Sequence, residues 1–418
     1  MQAFALWTPL SVIVILAGVL GGVQQRWYLP AYAVLFALLI FWCIWAMWPA
    51  SASGALPFDQ SGWRAFDLCL LGLLLLPFLQ LALRRAANPA RTESSFLHML
   101  AAAAVFWLWR MRRWTQREFE LLAGIFASLA GFFGLSAMLQ RLLTPNHIWG
   151  VIHIVSAPPM GSFVDHDDFA AWIGLLFPLA LWRAVRPARG ALRALWILNA
   201  ALAFASVIAS ASRGGAIVIL LELAAFLIWR WRFAPMPRPA ASALQSPRSP
   251  SRSLWVLSLV LLLYAGLAGV RPLWHNFLDS RISLAQRLSF AGVALRMGAH
   301  HPLWGYGLGS WLDVSPAFLR MDSGLLLNFA HCDPAQWFAD AGLIGCALLL
   351  ALGTAYLWSL RQSGLSQLRF VILLALFGFV AHSFIEFVFH IPALFLLFTA
   401  LAGLAAAPRW VANESFAD

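Results

Sequence analysis

The chain has 418 residues, 62% of them apolar and only 11% charged, with a mean hydropathy of +0.78 and a formal net charge of +11. Soluble domains are about 45–50% apolar and about 25% charged, so a water-soluble protein is excluded and the chain reads as one polytopic membrane bundle. All 28 basic residues are arginine, and they punctuate apolar runs without clustering on a soluble face, which argues against nucleic-acid binding.

A membrane-spanning helix takes about 20 apolar residues. Apolar runs between charged flanks predict twelve helices, over residues 4–23, 29–48, 65–83, 96–109, 118–140, 167–182, 193–211, 215–229, 254–270, 334–360, 367–385 and 388–407. The first has no basic leading region and is expected to be a retained helix, not a cleaved signal. With the amino terminus inside, the inside segments from the fourth helix onward hold 16 arginines against 7 outside, which supports that orientation. One segment disagrees, because Arg84, Arg85 and Arg91 then fall outside and the run 96–109 has only 14 residues. That helix is either short with snorkelling arginines or re-entrant, which leaves the topology around residues 84–117 open.

Residues 1–150 read as amino-terminal transmembrane helices and 151–410 as the functional core. Within the core, 234–253 (APMPRPAASALQSPRSPSRS) is rich in Pro, Ser and Arg and reads as a flexible linker on the inner side. Residues 271–333 form a long, partly helical loop on the outer side, and a loop of that length is more often functional than idle. The 22 tryptophans, among them Trp27, Trp48, Trp63, Trp114, Trp149, Trp274 and Trp410, gather near helix ends as an interfacial belt, and sugar stacking is open to a few outer ones. Cys43, Cys69 and Cys346 lie in apolar spans and only Cys332 in a loop, so no disulfide framework or zinc spacing is present.

Four groups of residues could carry chemistry. His331, in HCDPAQWFADAGLIG, precedes a helix whose Asp333 and Pro334 read as N-cap and first helical residue. The positive end of that helix would keep His331 neutral, as a general base must be. Arg213, in SASRGGAIVIL, stands at a tight outside turn where Gly214 and Gly215 would let an anion approach the backbone. Arg281, Arg287 and Arg296 fall on an interfacial helix followed by the glycine-punctuated HPLWGYGLG. Arg287 and Arg296 are candidate pyrophosphate ligands, with Arg287 favoured because the two point to different faces. Asp165, His166, Asp167 and Asp168 precede the sixth helix, where carboxylates serve the helix dipole, and no metal site is expected there. Glu222 lies mid-span and is expected to make an interhelical hydrogen bond.

These strings together resemble the O-antigen ligase and O-antigen polymerase superfamily. The family pattern is a His, a small polar residue, nine residues, a Gly and a small or aromatic residue three on; His331, Gly342 and Gly345 match it, and Cys332 stands where the family has Asn, Ser or Gln. Arg213 with Ile217 is similar to a second family motif, an Arg, three residues and a Leu, with Ile in place of the Leu. FVDHDDFAAWIGLLFPLAL, HPLWGYGLG and HSFIEFVFHIPALFLL are similar too, so the resemblance covers about residues 160–400. It implies an all-α, GT-C-like integral membrane enzyme of the bacterial inner membrane, with a periplasmic loop and active site. It further implies a metal-independent transfer without cofactor, from an undecaprenyl-pyrophosphate-linked glycan to a sugar hydroxyl. His331 would be the base, and Arg213 and Arg287 would hold the pyrophosphate.

The leading expectation is ligation of O-antigen to lipid A-core, and the runner-up is a polymerase with the same donor. A protein-directed oligosaccharyltransferase fits less well. A lipid-linked glycan flippase would show repeated halves and midplane ionisable groups, and a scaffold would tolerate loss of His331.

Overall fold

The structure, a computed structural model, describes residues 2–47, 63–112, 114–154, 159–186, 188, 190–233, 259, 270, 273–274, 280–319, 328–362 and 366–407. The linker 234–253, nearly all of the predicted helix 254–270, Trp48 and Trp410 lie outside them.

The described residues form an all-α bundle. In chain order its principal helices are α1 (Gln2–Gly18), α2 (Gln25–Met47), α3 (Arg64–Ala82), α4 (Pro89–Arg110), α5 (Gln116–Leu143), α6 (His166–Val185), α7 (Gly190–Ser210), α8 (Arg213–Phe233), α9 (Ser280–His300), α10 (Asp333–Gln362), α11 (Gln367–Ser383) and α12 (Pro392–Ala406). Six of these, α3, α5, α6, α7, α8 and α10, are long and apolar enough to cross a membrane. Apolar helices of 10–17 residues lie in α1, α2, α11 and α12. The chain is a multi-pass membrane protein, and α6, buried along most of its length, stands at the centre of the bundle.

Polar contacts join the end of one helix to the start of its neighbour in three consecutive pairs, α3 with α4, α5 with α6 and α11 with α12, which therefore run antiparallel. At one end Arg110 of α4 meets Asp67 of α3 (2.6 Å) and Arg186 meets Glu120 of α5 (2.8 Å), while Arg369 of α11 donates to the carbonyl of Ala405 in α12 (3.0 Å). Trp63 and Trp114 belong here too, but they are buried beneath Arg110 and Arg112, whose guanidinium carbons lie 4.5 and 4.8 Å from the ring centres. Expected in an interfacial belt, both are core residues, because a neighbouring arginine supplies the polar surroundings that lipid head groups would otherwise give. Trp27, Trp149 and Trp274 are exposed.

The helix left open in the sequence resolves as a full-length α4 of 22 residues. Asn88 caps it and Pro89 occupies its first position, so it starts seven residues before the apolar run. The polar first turns are not lipid-facing. Thr92 is fully buried and donates to the carbonyl of Leu308 (3.0 Å), Ala87 N–H donates to Tyr306 O (2.7 Å), and Arg91 pairs with Asp313 (2.7 Å). Periodicity misses such a helix because its polar end is satisfied by another part of the chain.

The long loop builds a small core of its own. Val293, Ala294 and Met297 of α9 pack with Trp311, Ala330, Ala335 and Ala339 under Phe290, Tyr306 and Phe318. Glu222 corrects an expectation. It is buried on α8 against Gly378 of α11 and within 3.9 Å of a Cβ position at Gly174 of α6, and neither carboxylate oxygen has a hydrogen-bond partner among the described residues. Glycines at both contacts leave it room and no donor.

Candidate active site

The site lies where α6, α8 and α10 begin and α11 ends. Asp165 caps α6, its carboxylate accepting from Asp167 N–H (2.8 Å), as the sequence suggests. Asp167 has a different task from the dipole role expected of it. Its Oδ2 accepts from Arg287 of α9 at 3.0 Å, across 120 positions of sequence. Arg287 also donates to Ile385 O (2.8 Å) and forms an ion pair with Glu386. Glu386 Oε2 in turn lies 2.9 Å from Nδ1 of His331, within hydrogen-bond distance. Four side chains from distant segments thus form one chain, His331–Glu386–Arg287–Asp167.

Each is held by its surroundings. Glu386 is buried just beyond α11, and its carbonyl accepts from Asp333 N–H (3.3 Å), fastening the base of α10 to the end of α11. Ser212 is fully buried and its hydroxyl accepts from Gly215 N–H (3.0 Å), which caps α8. Arg213, the first residue of α8, sits within electrostatic reach of Arg287, Asp167 and Glu386. Gly214 and Gly215 do not open a path for a ligand to the backbone, as the sequence led us to expect. A Cβ on Gly214 would meet His382 Nε2 of α11 at 3.0 Å, and one on Gly215 would clash with the Ala170 side chain of α6, so both let helices approach closely.

The electrostatics follow from burial. His331 is pushed down to about 4, first by burial and then by the charge of Arg287, with Asp167 opposing. The helix end suspected from sequence is not needed to keep it neutral. A Glu386 carboxylate facing Nδ1–H would leave the basic lone pair on Nε2. Burial, then the negative charge of Asp167, raise Glu386 well above the usual carboxylate range against the pull of Arg287. Burial lowers Arg287, but Glu386 and Asp167 outweigh it and keep it cationic.

His331 itself is in the left-handed region at φ +51°, a conformation that costs about 1–3 kcal/mol in a non-glycine residue and is found where the surroundings overdetermine it. Rings enclose it, with Phe387 edge-on at 4.8 Å and Phe290 at 6.3 Å. α10 starts from the carbonyl of Cys332, which accepts from Gln336 N–H (3.0 Å), one position before the expected cap. The Asp333 carboxylate turns instead to Phe389 N–H (3.1 Å) and His390 Nδ1 (2.8 Å).

The glycine motifs have a joint structural purpose. Gly342 (φ +64°, ψ −165°) interrupts α10, and the HPLWGYGLG segment docks into the gap. Leu343 N–H donates to Pro302 O (2.7 Å) and Ile344 N–H to Leu303 O (3.2 Å) below the break, while Tyr306 and Gly307 N–H donate to Ala339 and Asp340 O (both 3.0 Å) above it. Gln80 of α3 closes the joint by donating to Trp304 O (2.8 Å) and Asp340 O (2.9 Å). Non-helical backbone at this depth survives because protein groups satisfy it. Replacing Gly342 with Ala would force that φ/ψ on a side chain and set a Cβ 2.7 Å from Gly305 N. The expected result is a loss of about 1–3 kcal/mol in thermal unfolding, and an unchanged melting curve would refute this account of the motif.

Of the residues singled out from sequence, the structure brings His331, Arg213 and Arg287 to one place. Arg296 is elsewhere: it is exposed and donates to Phe318 O (3.3 Å), on the other side of α9. Asp165, His166 and Asp167 have potential ligand atoms within 4.8 Å of one another, but Asp167 is already paired with Arg287. Sequence reasoning missed Glu386, His390 and Gln336. A carboxylate inside the apolar string HSFIEFVFH was the available signal, since an ionisable group in such a segment is costly unless it is used.

A family profile described as O-antigen ligase matches residues 198–350, a stretch that holds Arg213, Arg287, His331 and Gly342. No curated protein matches the chain.

Proposed function

We propose, starting from the match of residues 198–350 to the O-antigen ligase profile, that this glycosyltransferase-like membrane enzyme transfers a glycan from undecaprenyl pyrophosphate to a sugar hydroxyl of lipid A-core at the periplasmic face. The observation that carries the reading is the His331–Glu386 pair, 2.9 Å long, beside Arg287 and Arg213. A base with its lone pair on Nε2 stands next to two guanidinium groups.

The acceptor oxygen attacks the anomeric carbon and the bond from that carbon to the pyrophosphate oxygen breaks. The hydroxyl proton passes to His331 Nε2, and the negative charge of Asp167 favours the imidazolium that forms. Charge growing on the leaving pyrophosphate is met by Arg213 and Arg287, whose planar forks suit phosphate oxygens. Arg296, facing away, has no part in this step. The transfer needs no metal ion in this reading, so a chelator is expected to leave the rate unchanged, and inhibition reversed by a divalent cation would reinstate Asp165, His166 and Asp167 as ligands.

The deciding experiment deletes the gene and separates lipopolysaccharide and undecaprenyl-linked glycan on gels. Bare lipid A-core beside a long lipid-linked ladder is the expected result. Core capped with a single repeat would make the enzyme a polymerase, and an unchanged pattern would exclude lipopolysaccharide as its product.

A further inference from the structure

Beside His331 runs a second chain of hydrogen bonds, which the transfer step above does not use. Ala330 N–H donates to Gln336 Oε1 (2.8 Å), Gln336 Nε2 lies 3.1 Å from His390 Nε2, and His390 Nδ1 lies 2.8 Å from Asp333 Oδ1. Its polarity is forced. A backbone N–H can only donate, so Gln336 must turn its oxygen to Ala330 and its NH2 to His390. His390 Nε2 must then be a lone pair, with the ring proton on Nδ1 facing Asp333. Gln336 and Asp333 are buried, and the two ends of the chain grip Ala330 and Asp333, which bracket His331 and Cys332. Those anchors explain how His331 is kept at φ +51°.

We propose that His390 is a positioning residue, which through Gln336 and Asp333 holds the left-handed turn that aims His331 Nε2, and that a proton on His390 Nε2 releases this hold. A protonated ring would set three donors, Ala330 N–H, the Gln336 amide and His390 Nε2–H, against one amide oxygen. The groups facing His390 are Asp333 and Asp340 of α10, His98 of α4, and the Phe329 ring at 4.6 Å. Burial lowers His390, but the hydrogen bond and charge of Asp333 and the charge of Asp340 outweigh it and raise it above its ordinary value. The release therefore falls well above the value of about 4 at which His331 itself would protonate.

The inference rests on His331 being the base, and the test separates the two claims. Full-length protein in nanodiscs would be assayed for transfer between lipid-linked glycan and rough lipopolysaccharide, both extracted from the deletion strain, across about pH 5 to 9. Wild type is expected to lose kcat as pH falls, about tenfold per unit, along a limb set by His390. Gln336→Glu supplies a carboxylate that accepts from both Ala330 N–H and protonated His390, so protonation of His390 no longer breaks the hold, and the acid limb is expected to part from the His390 titration and fall by about one unit or more. His390→Asn is expected to lower kcat about 10–100-fold with acceptor KM changed less than about twofold. An unmoved limb in Gln336→Glu, or full kcat in His390→Asn, overturns the proposal. Nitrogen-15 histidine NMR gives a readout without turnover: His331 should shift as His390 titrates, and an indifferent His331 also overturns it. Activity surviving in His331→Ala would instead defeat the functional reading and leave the NMR result standing on its own.

Discussion

Replacing His331 with alanine is expected to lower glycan transfer about 10²–10⁴-fold, the range that a positioned general base contributes, while the amount of folded protein in the membrane stays as in wild type. The side chain is 27% exposed at the entrance of α10, so the space its removal leaves opens to solvent and is not a closed cavity. What disappears is the Nε2 lone pair that the Glu386 bond orients. Because burial and Arg287 bring His331 to about 4, its neutral form predominates from mildly acidic pH upward and is lost only as pH falls through that value. Pulse-labelled membranes blotted for the protein and for lipopolysaccharide test both halves at once. Wild-type transfer in the variant would remove the base assignment.

Arg287→Ala is expected to be the most damaging substitution for stability. It strips the cation from two carboxylates, Glu386 and Asp167, whose side chains are 2% and 8% exposed. Removing one partner of such a buried pair costs about 3–5 kcal/mol, because the remaining charge has no solvent to turn to. Partial access of water to Arg287 places the effect at the low end, about 3 kcal/mol. Thermal unfolding of the purified protein measures it. Adding Glu386→Gln in the same chain should recover part of the loss, since one uncompensated carboxyl is then removed, and the four-variant cycle isolates the coupling. A melting temperature equal to wild type in Arg287→Ala would mean that the ion pairs do not stabilise the fold. Arg287→Lys should keep more stability than activity, because an ammonium supplies charge without the fork that reaches Asp167, Glu386 and Ile385 O together.

The limits of sequence reading show in particular residues. Apolar runs place α3, α5, α7, α8 and α11 within a few residues of their true ends, because lipid and core demand the same side chains along the whole helix. α4 runs from Pro89, not from residue 96, since its polar turns are matched by Leu308, Tyr306 and Asp313, more than 200 positions away. Trp63 and Trp114 look interfacial by position and are core by contact with arginine. Glu222 was correctly suspected of burial but lacks the partner expected for it among the described residues. The HPLWGYGLG turn and Gly342 were both visible, yet nothing in either string says that one plugs the gap in the other.

Composition and residue order alone settle that the chain is a helical membrane protein, because 62% apolar content has nowhere else to go. They also single out His331, Arg213 and Arg287, since polar residues at the ends of apolar runs are few enough to examine one by one. Tertiary structure alone decides how those residues are joined. Glu386 and Asp167 lie 55 positions after His331 and 120 before Arg287, distances that no local pattern spans. The pairing arises because the end of α11 and the starts of α6 and α10 meet at one level of the bundle, where a buried carboxylate must find a cation and a buried imidazole must find an acceptor.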